Sequence, residues 1–148
     1  MTSSFEIVTR AAVPADALFD ASRDIGAHVA SMRGTGERAI GGVTSGLIGL
    51  DETVTWRAWH FGIPLRMTSR ITALERPHRF VDEQMTGPFR LFRHEHLYVE
   101  RDGTTIMTDR VTLASPVFGR VAERLVLVPY LRRLLIRRAA RLVASVSR

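Results

Sequence analysis

Apolar and polar side chains alternate across residues 4–12, with Phe5, Ile7 and Thr9 on one side and Glu6, Val8 and Arg10 on the other. A period of two marks a half-buried strand. Pro14 ends it and suits a first helical turn, where its missing N–H would have no partner anyway. Residues 15–22 then read as a short helix with Leu18 and Phe19 inward, and Asp24 as the cap of a second over 25–32. Helices this short are not stable alone, so both must pack on something larger.

Glycines recur from Gly34 to Gly49, which predicts short strands joined by tight turns, with 37–40 as one strand. The segment Gly34-Thr35-Gly36-Glu37-Arg38 lacks the Gly-Lys-Ser/Thr ending of a phosphate loop and follows no strand, so it does not support nucleotide binding. The period of two then returns over 52–61, 65–74, 80–86, 89–100 and 104–113. Gly62-Ile63-Pro64, Arg76-Pro77, Gly87-Pro88 and Asp102-Gly103 separate these runs, the last being a strong hairpin signal. Strands joined by such turns form an antiparallel meander. Pro116 closes it. Residues 117–146 change to steps of three and four, through Phe118, Val121, Leu125, Val128, Leu131, Leu135, Ala139, Leu142 and Val146. That predicts one long amphipathic helix, kinked at Pro129. The sum is an α+β chain: one curved antiparallel sheet, two short helices, and a long C-terminal helix across the sheet.

The chain has 148 residues, 45% of them hydrophobic and 24% charged, which predicts one domain over 1–148. It has no cysteine, which excludes disulfides and thiolate chemistry, and no secretory leader or membrane-spanning run is visible, so a cytoplasmic location is expected. Every basic residue is arginine and the formal net charge is +6. The late arginines Arg120, Arg124, Arg132, Arg133, Arg137, Arg138, Arg141 and Arg148 read first as a solvated helix face, and second as a weak contact for an acidic membrane surface. No nucleic-acid motif accompanies them.

Register decides which side chains face the helix, because a slip of one residue reverses every strand. Turning Glu83, Arg93, Glu95 and Arg110 outward lets their charges pair across strands. The same choice turns Asp82, Gln84, His94, His96 and Asp109 inward beside Phe80, Phe92, Met107 and Val111, with Trp56 and His60 alongside. Buried polar groups need partners, since each one left unpaired costs about 1–3 kcal/mol. A pairing of Asp82 or Asp109 with His94 or His96 is the natural solution. Such a pair suits hydrogen bonding to a ligand, or acid–base work with His94, His96 and Asp109 as the candidate catalytic groups. His94-Glu95-His96 with His60 or a carboxylate also has the donors for zinc, but the His-Glu-X-X-His pattern is absent and the reading takes no metal and no cofactor. His28 and His78 read as surface or helix-end residues, and no nucleophile elbow is present.

Several segments together resemble a known superfamily. They are Phe5-Glu6-Ile7 with Val13-Pro14-Ala15-Asp16-Ala17-Leu18-Phe19, Trp56-Arg57-Ala58, Arg76-Pro77-His78-Arg79-Phe80-Val81-Asp82, Gly87-Pro88-Phe89 leading to His94-Glu95-His96, and Gly103 to Asp109 with the long final helix. The chain resembles the START-related SRPBCC superfamily of helix-grip proteins, in particular its bacterial polyketide cyclase/dehydrase-like branch. The resemblance implies a ligand cavity between sheet and C-terminal helix, and it carries over no catalytic residue because the superfamily has no shared catalytic motif. The expected ligand-binding residues are Trp56, His60, Phe80, Asp82, Gln84, Phe92, His94, His96, Met107, Asp109 and Leu125. The expected role is a carrier or sensor of a small hydrophobic molecule, the alternative a cyclase or dehydratase using a His–Asp pair. A third option is an interaction module working through the arginine-rich helix. A homodimer is left open.

Overall fold

The computed structural model describes residues 2–115 and 120–147, with the Arg120 side chain left aside. In chain order they form β1 (Ser3–Ala11), α1 (Ala15–Ser22), α2 (Ile25–Ser31), β2 (Arg38–Gly42), β3 (Thr53–His60), β4 (Ile63–Glu75), β5 (Arg79–Thr86), β6 (Leu91–Arg101) and β7 (Thr104–Ala114). The C-terminal helix runs through α3 (Arg120–Ala122), a π-helical turn over Glu123–Leu127, and α4 (Val128–Val146). Its expected start at Val117 and Phe118 lies outside the described residues.

The strands make one seven-stranded antiparallel sheet in the order β1-β7-β6-β5-β4-β3-β2. It is the predicted meander with β1 added beside β7. Turn chemistry sets the register. Asp102 and Gly103 take φ of 53° and 78°, two successive left-handed residues whose twist matches that of the flanking strands. Phe61 and Gly62 do the same at 54° and 74°. That turn needs only two residues, so Ile63 and Pro64, expected in it, belong to β4 and pair with His60 and Trp59. Pro64 is tolerated because the pairing of β4 with β5 begins only at Thr68.

α2 starts where its cap predicts, with the Ala27 N–H donating to Asp24 Oδ1 at 2.9 Å. α4 packs on β1, α1 and α2 and buries Leu135, Arg138, Ala139 and Leu142 at steps of three and four. Pro129 cannot donate to the turn before it. The helix answers with the wider π turn immediately upstream, where the sequence predicted a kink. The π turn changes the phase of the stripe. It points Glu123 and Leu127 toward the sheet and leaves Leu125 72% exposed, which overturns the expectation that Leu125 meets a ligand. Glu123 ties the helix start down, accepting from Ser3 Oγ and from the Ser115 N–H, both at 2.6 Å.

Two apolar clusters result. One gathers Leu18, Phe19, Phe80, Tyr98, Met107, Ala139 and Leu142; the other gathers Ile7, Val111, Leu113 and Leu135. On β7, Asp109 falls between Met107 and Val111, so a polar band separates the clusters. Outside, the predicted cross-strand ion pairs form: Arg110 reaches Glu95 at 3.1 Å and Arg93 reaches Glu83 at 3.9 Å. Among the described residues no helix is long and apolar enough to cross a membrane.

Gly42 has φ of 68°, and a Cβ there would collide with the Thr53 carbonyl, whereas Gly46 at 74° has open space around it. Gly46→Ala is therefore expected to cost about 1–2 kcal/mol of backbone strain. Gly42→Ala should cost more, about 3 kcal/mol or above, because a clash adds to the strain. Thermal or urea unfolding of the two variants checks the order.

Candidate functional site

β5, β6 and β7 bring four of the predicted polar residues together. Asp82 lies opposite His94 across β5–β6, and His96 opposite Asp109 across β6–β7. The bonds run diagonally. His94 Nε2 donates to Asp109 Oδ1 at 2.8 Å, and His96 Nε2 donates to Asp82 Oδ2 at 2.8 Å. His96 Nδ1 also lies 3.3 Å from Asp109 Oδ1. The rings stack: Phe80 on His96 with centroids 3.9 Å apart, and His96 on His94 at 3.8 Å. A fifth group comes from α4. Arg138 places Nη1 3.7 Å from Asp109 Oδ1 and gives Nη2 to the Ser22 carbonyl at 3.4 Å.

Burial disfavours charge on every member, and the neighbours decide which carry one. Burial would raise Asp109, but hydrogen bonds from His94 and His96 hold its carboxyl far below the usual range. Asp82 is held down in the same way, its burial outweighed by the bond to His96 and the charge on the histidines. For His96 burial is outweighed by bonds to Asp109 and Asp82, so its pKa lies above the ordinary imidazole value. For His94 burial prevails, helped by the adjacent His96 charge, and its pKa lies below it. The shifts thus favour a proton on His96 over one on His94, beside two ionised carboxylates and the Arg138 guanidinium.

This band forms the deep wall of a cavity of about 440 Å³ between sheet and C-terminal helix. Val54, Trp56, Ala58, Met67, Ser69 and Ile71 line the sheet side, and Leu127, Tyr130, Leu131, Leu134, Leu135 and Arg138 the helix side. Ile25, His28 and Met32 close one end. Phe61 and Ile63, both exposed, mark the mouth, where His60 Nδ1 and the Tyr130 hydroxyl share a hydrogen bond of 2.7 Å. Burial lowers the His60 pKa.

Of the expected site residues, Trp56, His60, Phe80, Asp82, Phe92, His94 and His96 line this cavity. Gln84 does not. Its amide bonds both the N–H and the carbonyl of Phe89 and so bridges the β5–β6 turn. Met107 does not either, because α1 covers it; its sulfur lies 3.8 Å from Ser22 Oγ. Asp109 is buried behind the two imidazoles and acts on the cavity only through them. Leu125 faces outward, as described above.

Two readings need correction. His28 does lie in the last turn of α2, as its helix-end reading expects, but it is half-buried: its ring meets Trp56 at 4.4 Å, tilted by 31°, it faces Glu37 at 3.3 Å, and it lines the cavity. Arg138 is no part of a solvated face, being 2% exposed, and Arg141 donates to the Ser31 carbonyl, whereas Arg124, Arg132, Arg133 and Arg137 do face solvent. Arg138 lies three residues after Leu135 and four before Leu142, so its position on the apolar stripe was the signal that could have found it.

A divalent cation would find its donors in Asp82, His94 and His96, one ligand atom of each lying within 4.8 Å of the others.

No protein-family model matches the chain, and no curated protein matches it in sequence. Solved structures match along its whole length. The Zhui aromatase/cyclase from Streptomyces sp. R1128 superposes with a TM-score of 0.79 at 16% identity, over 100% of this chain and 95% of that one. Ara h 8.0201 gives 0.74 at 13%, over 99% and 98%. Major latex-like protein 151 from Panax ginseng gives 0.70 at 12%, over 97% of each. This is the helix-grip fold. Its hallmark, a sheet wrapped around a long helix, is what creates the cavity here.

The opposed shifts of the two imidazoles have a measurable sign. In the helix-grip protein as described, His96 should still be protonated above the ordinary midpoint of about pH 6.5, and His94 still neutral below it. NMR of the imidazole nitrogens reads both. His96 contributes stability that is full below its unfolded pKa and is lost as pH rises through its folded value. His94 contributes stability that is full above its unfolded pKa and is lost as pH falls. His96→Gln should flatten the alkaline loss in urea midpoints and also lessen the acid loss, because the neighbouring charge that helps to keep His94 neutral goes with it.

Proposed function

We propose that this protein binds a small, mostly apolar molecule in the cavity between sheet and helix, as a carrier or sensor. The observation that carries the reading is the contrast within one space. Its walls are mostly aliphatic and aromatic, and its polar groups gather in two places, the buried band of Asp82, His94, His96 and Arg138 and the His28–Glu37 pair with Arg23 and Asp24. A cavity of about 440 Å³ lies in the usual range for small-molecule sites, which pair apolar walls with a few placed polar groups. Structural neighbours such as the aromatase/cyclase are consistent with it, though at 16% identity they support the fold alone.

A second reading, acid–base catalysis of the cyclase or dehydratase type, is favoured by one contact. Asp109 holds His94 by Nε2 at 2.8 Å, the arrangement that orients an imidazole for proton transfer. It predicts that His94→Gln abolishes turnover of a bound enolisable ketone while leaving its affinity within a few-fold.

The binding reading is tested by filling the space. Ala58 lines the cavity from the middle of β3. Ala58→Phe should weaken uptake of the neutral fluorophore N-phenyl-1-naphthylamine at least about tenfold, roughly 1.4 kcal/mol, with the far-UV spectrum unchanged. Binding that is indifferent to this substitution places the fluorophore elsewhere and sinks the reading. Native mass spectrometry of freshly purified protein shows whether a molecule copurifies.

A further inference from the structure

The deep wall is one-sided in its hydrogen bonding. His96 gives Nε2 to Asp82, and its Nδ1 is buried 3.3 Å from Asp109 Oδ1 without a hydrogen bond of its own. Arg138 gives Nη2 to Ser22, and its Nε and Nη1 have no hydrogen-bond partner but are buried, so they present almost no surface to the cavity. Two cavity-lining groups remain. Asp82 uses Oδ2 for His96, which leaves Oδ1 without a bond among the described residues on a side chain 23% exposed. His94 donates from Nε2 to Asp109, so in its neutral form Nδ1 keeps a lone pair, on a side chain 7% exposed. Both remaining groups are acceptors. The Ser69 hydroxyl, which also lines the sheet side of the cavity, can adapt either way.

We propose that the molecule held here is uncharged and presents a hydroxyl, as a phenol or an alcohol, that donates to Asp82 Oδ1 or His94 Nδ1. The proposal rests on the ligand-binding reading above and narrows it to one chemistry. A carboxylate would bring a further anion beside Asp82 and Asp109, where the partnerless nitrogens of Arg138 are too buried to meet it. An ether or ketone oxygen would face lone pairs on Asp82 and His94. An ammonium would satisfy the acceptors but would surrender its hydration beside a buried band. A hydroxyl supplies the missing donor and adds no charge.

The test compares one skeleton with four ends: 2-naphthol, 2-methoxynaphthalene, 2-naphthoate and 2-naphthylmethylamine, each displacing N-phenyl-1-naphthylamine from the wild-type protein near neutral pH. Naphthol should bind on the order of tenfold more tightly than each of the others, the scale of one hydrogen bond in a desolvated site. Asp82→Asn, which can turn a donor toward the cavity, should shrink the preference for naphthol over the methyl ether and improve naphthoate. Equal affinity of naphthol and its ether overturns the proposal and leaves the binding reading intact. Tightest binding of naphthoate or of the amine also overturns it. If neither the fluorophore nor any naphthalene enters, the binding reading fails and this one falls with it.

Discussion

Asp109 is fully buried on β7, and three nitrogen-bearing side chains converge on its Oδ1: His94, His96 and Arg138. Through Arg138, Asp109 joins the central strand β7 to the C-terminal helix by charge. A carboxylate alone in such a place would cost several kcal/mol, and its protonation would be the cheap escape. The two histidines close that escape by making the ionised form the better hydrogen-bond acceptor. The band therefore behaves as one unit whose members cannot be removed singly without stranding another charge.

That unit shapes the cavity as much as the apolar residues do. Along β7 and β6 the band interrupts a core that would otherwise be continuous, from Tyr98 and Met107 on one side to Phe92, Val111 and Leu113 on the other. A helix can pack tightly on either apolar cluster, but over the band it needs a charge to meet Asp109. Arg138 supplies it, and Leu135 and Ala139 on the neighbouring turns stay in their own clusters. The upstream part of the helix, turned by the π segment before Pro129, is tied to β1 at Glu123 and packs on the second cluster through Leu127 and Leu131, and with Tyr130 these residues wall the space.

The strands and their faces were legible because charges on the outer face leave little freedom. Glu83, Arg93, Glu95 and Arg110 pair across strands only in one register, and that register turns Asp82, His94, His96 and Asp109 inward. Facing inward did not mean facing the cavity. Gln84 is spent on a turn, Met107 is roofed by α1, and Asp109 is screened by the rings it binds, three outcomes set by contacts across elements. Leu125 was misjudged for a different reason: a strict period of 3.6 does not survive a π turn. Arg138 was missed because an arginine among arginines reads as surface, and only its alignment with Leu135 and Leu142 distinguishes it.

The same band bears on whether a bound molecule reacts. His94 is oriented by Asp109, and burial favours its neutral form, as a general base requires. Accepting a full proton, however, would place a second imidazolium face to face with His96 at 3.8 Å. Two like charges at that distance repel by about 4 kcal/mol at an effective dielectric of roughly 20, and Asp109, already shared with His96 and Arg138, offsets only part of it. The repulsion falls on complete proton transfer and spares a hydrogen bond accepted from a hydroxyl. An imidazole arranged in this way is better placed to hold a donor than to take its proton. A catalytic role would require the His96 proton to leave first, through Asp82, the one carboxylate of the band whose side chain is still partly open to the cavity.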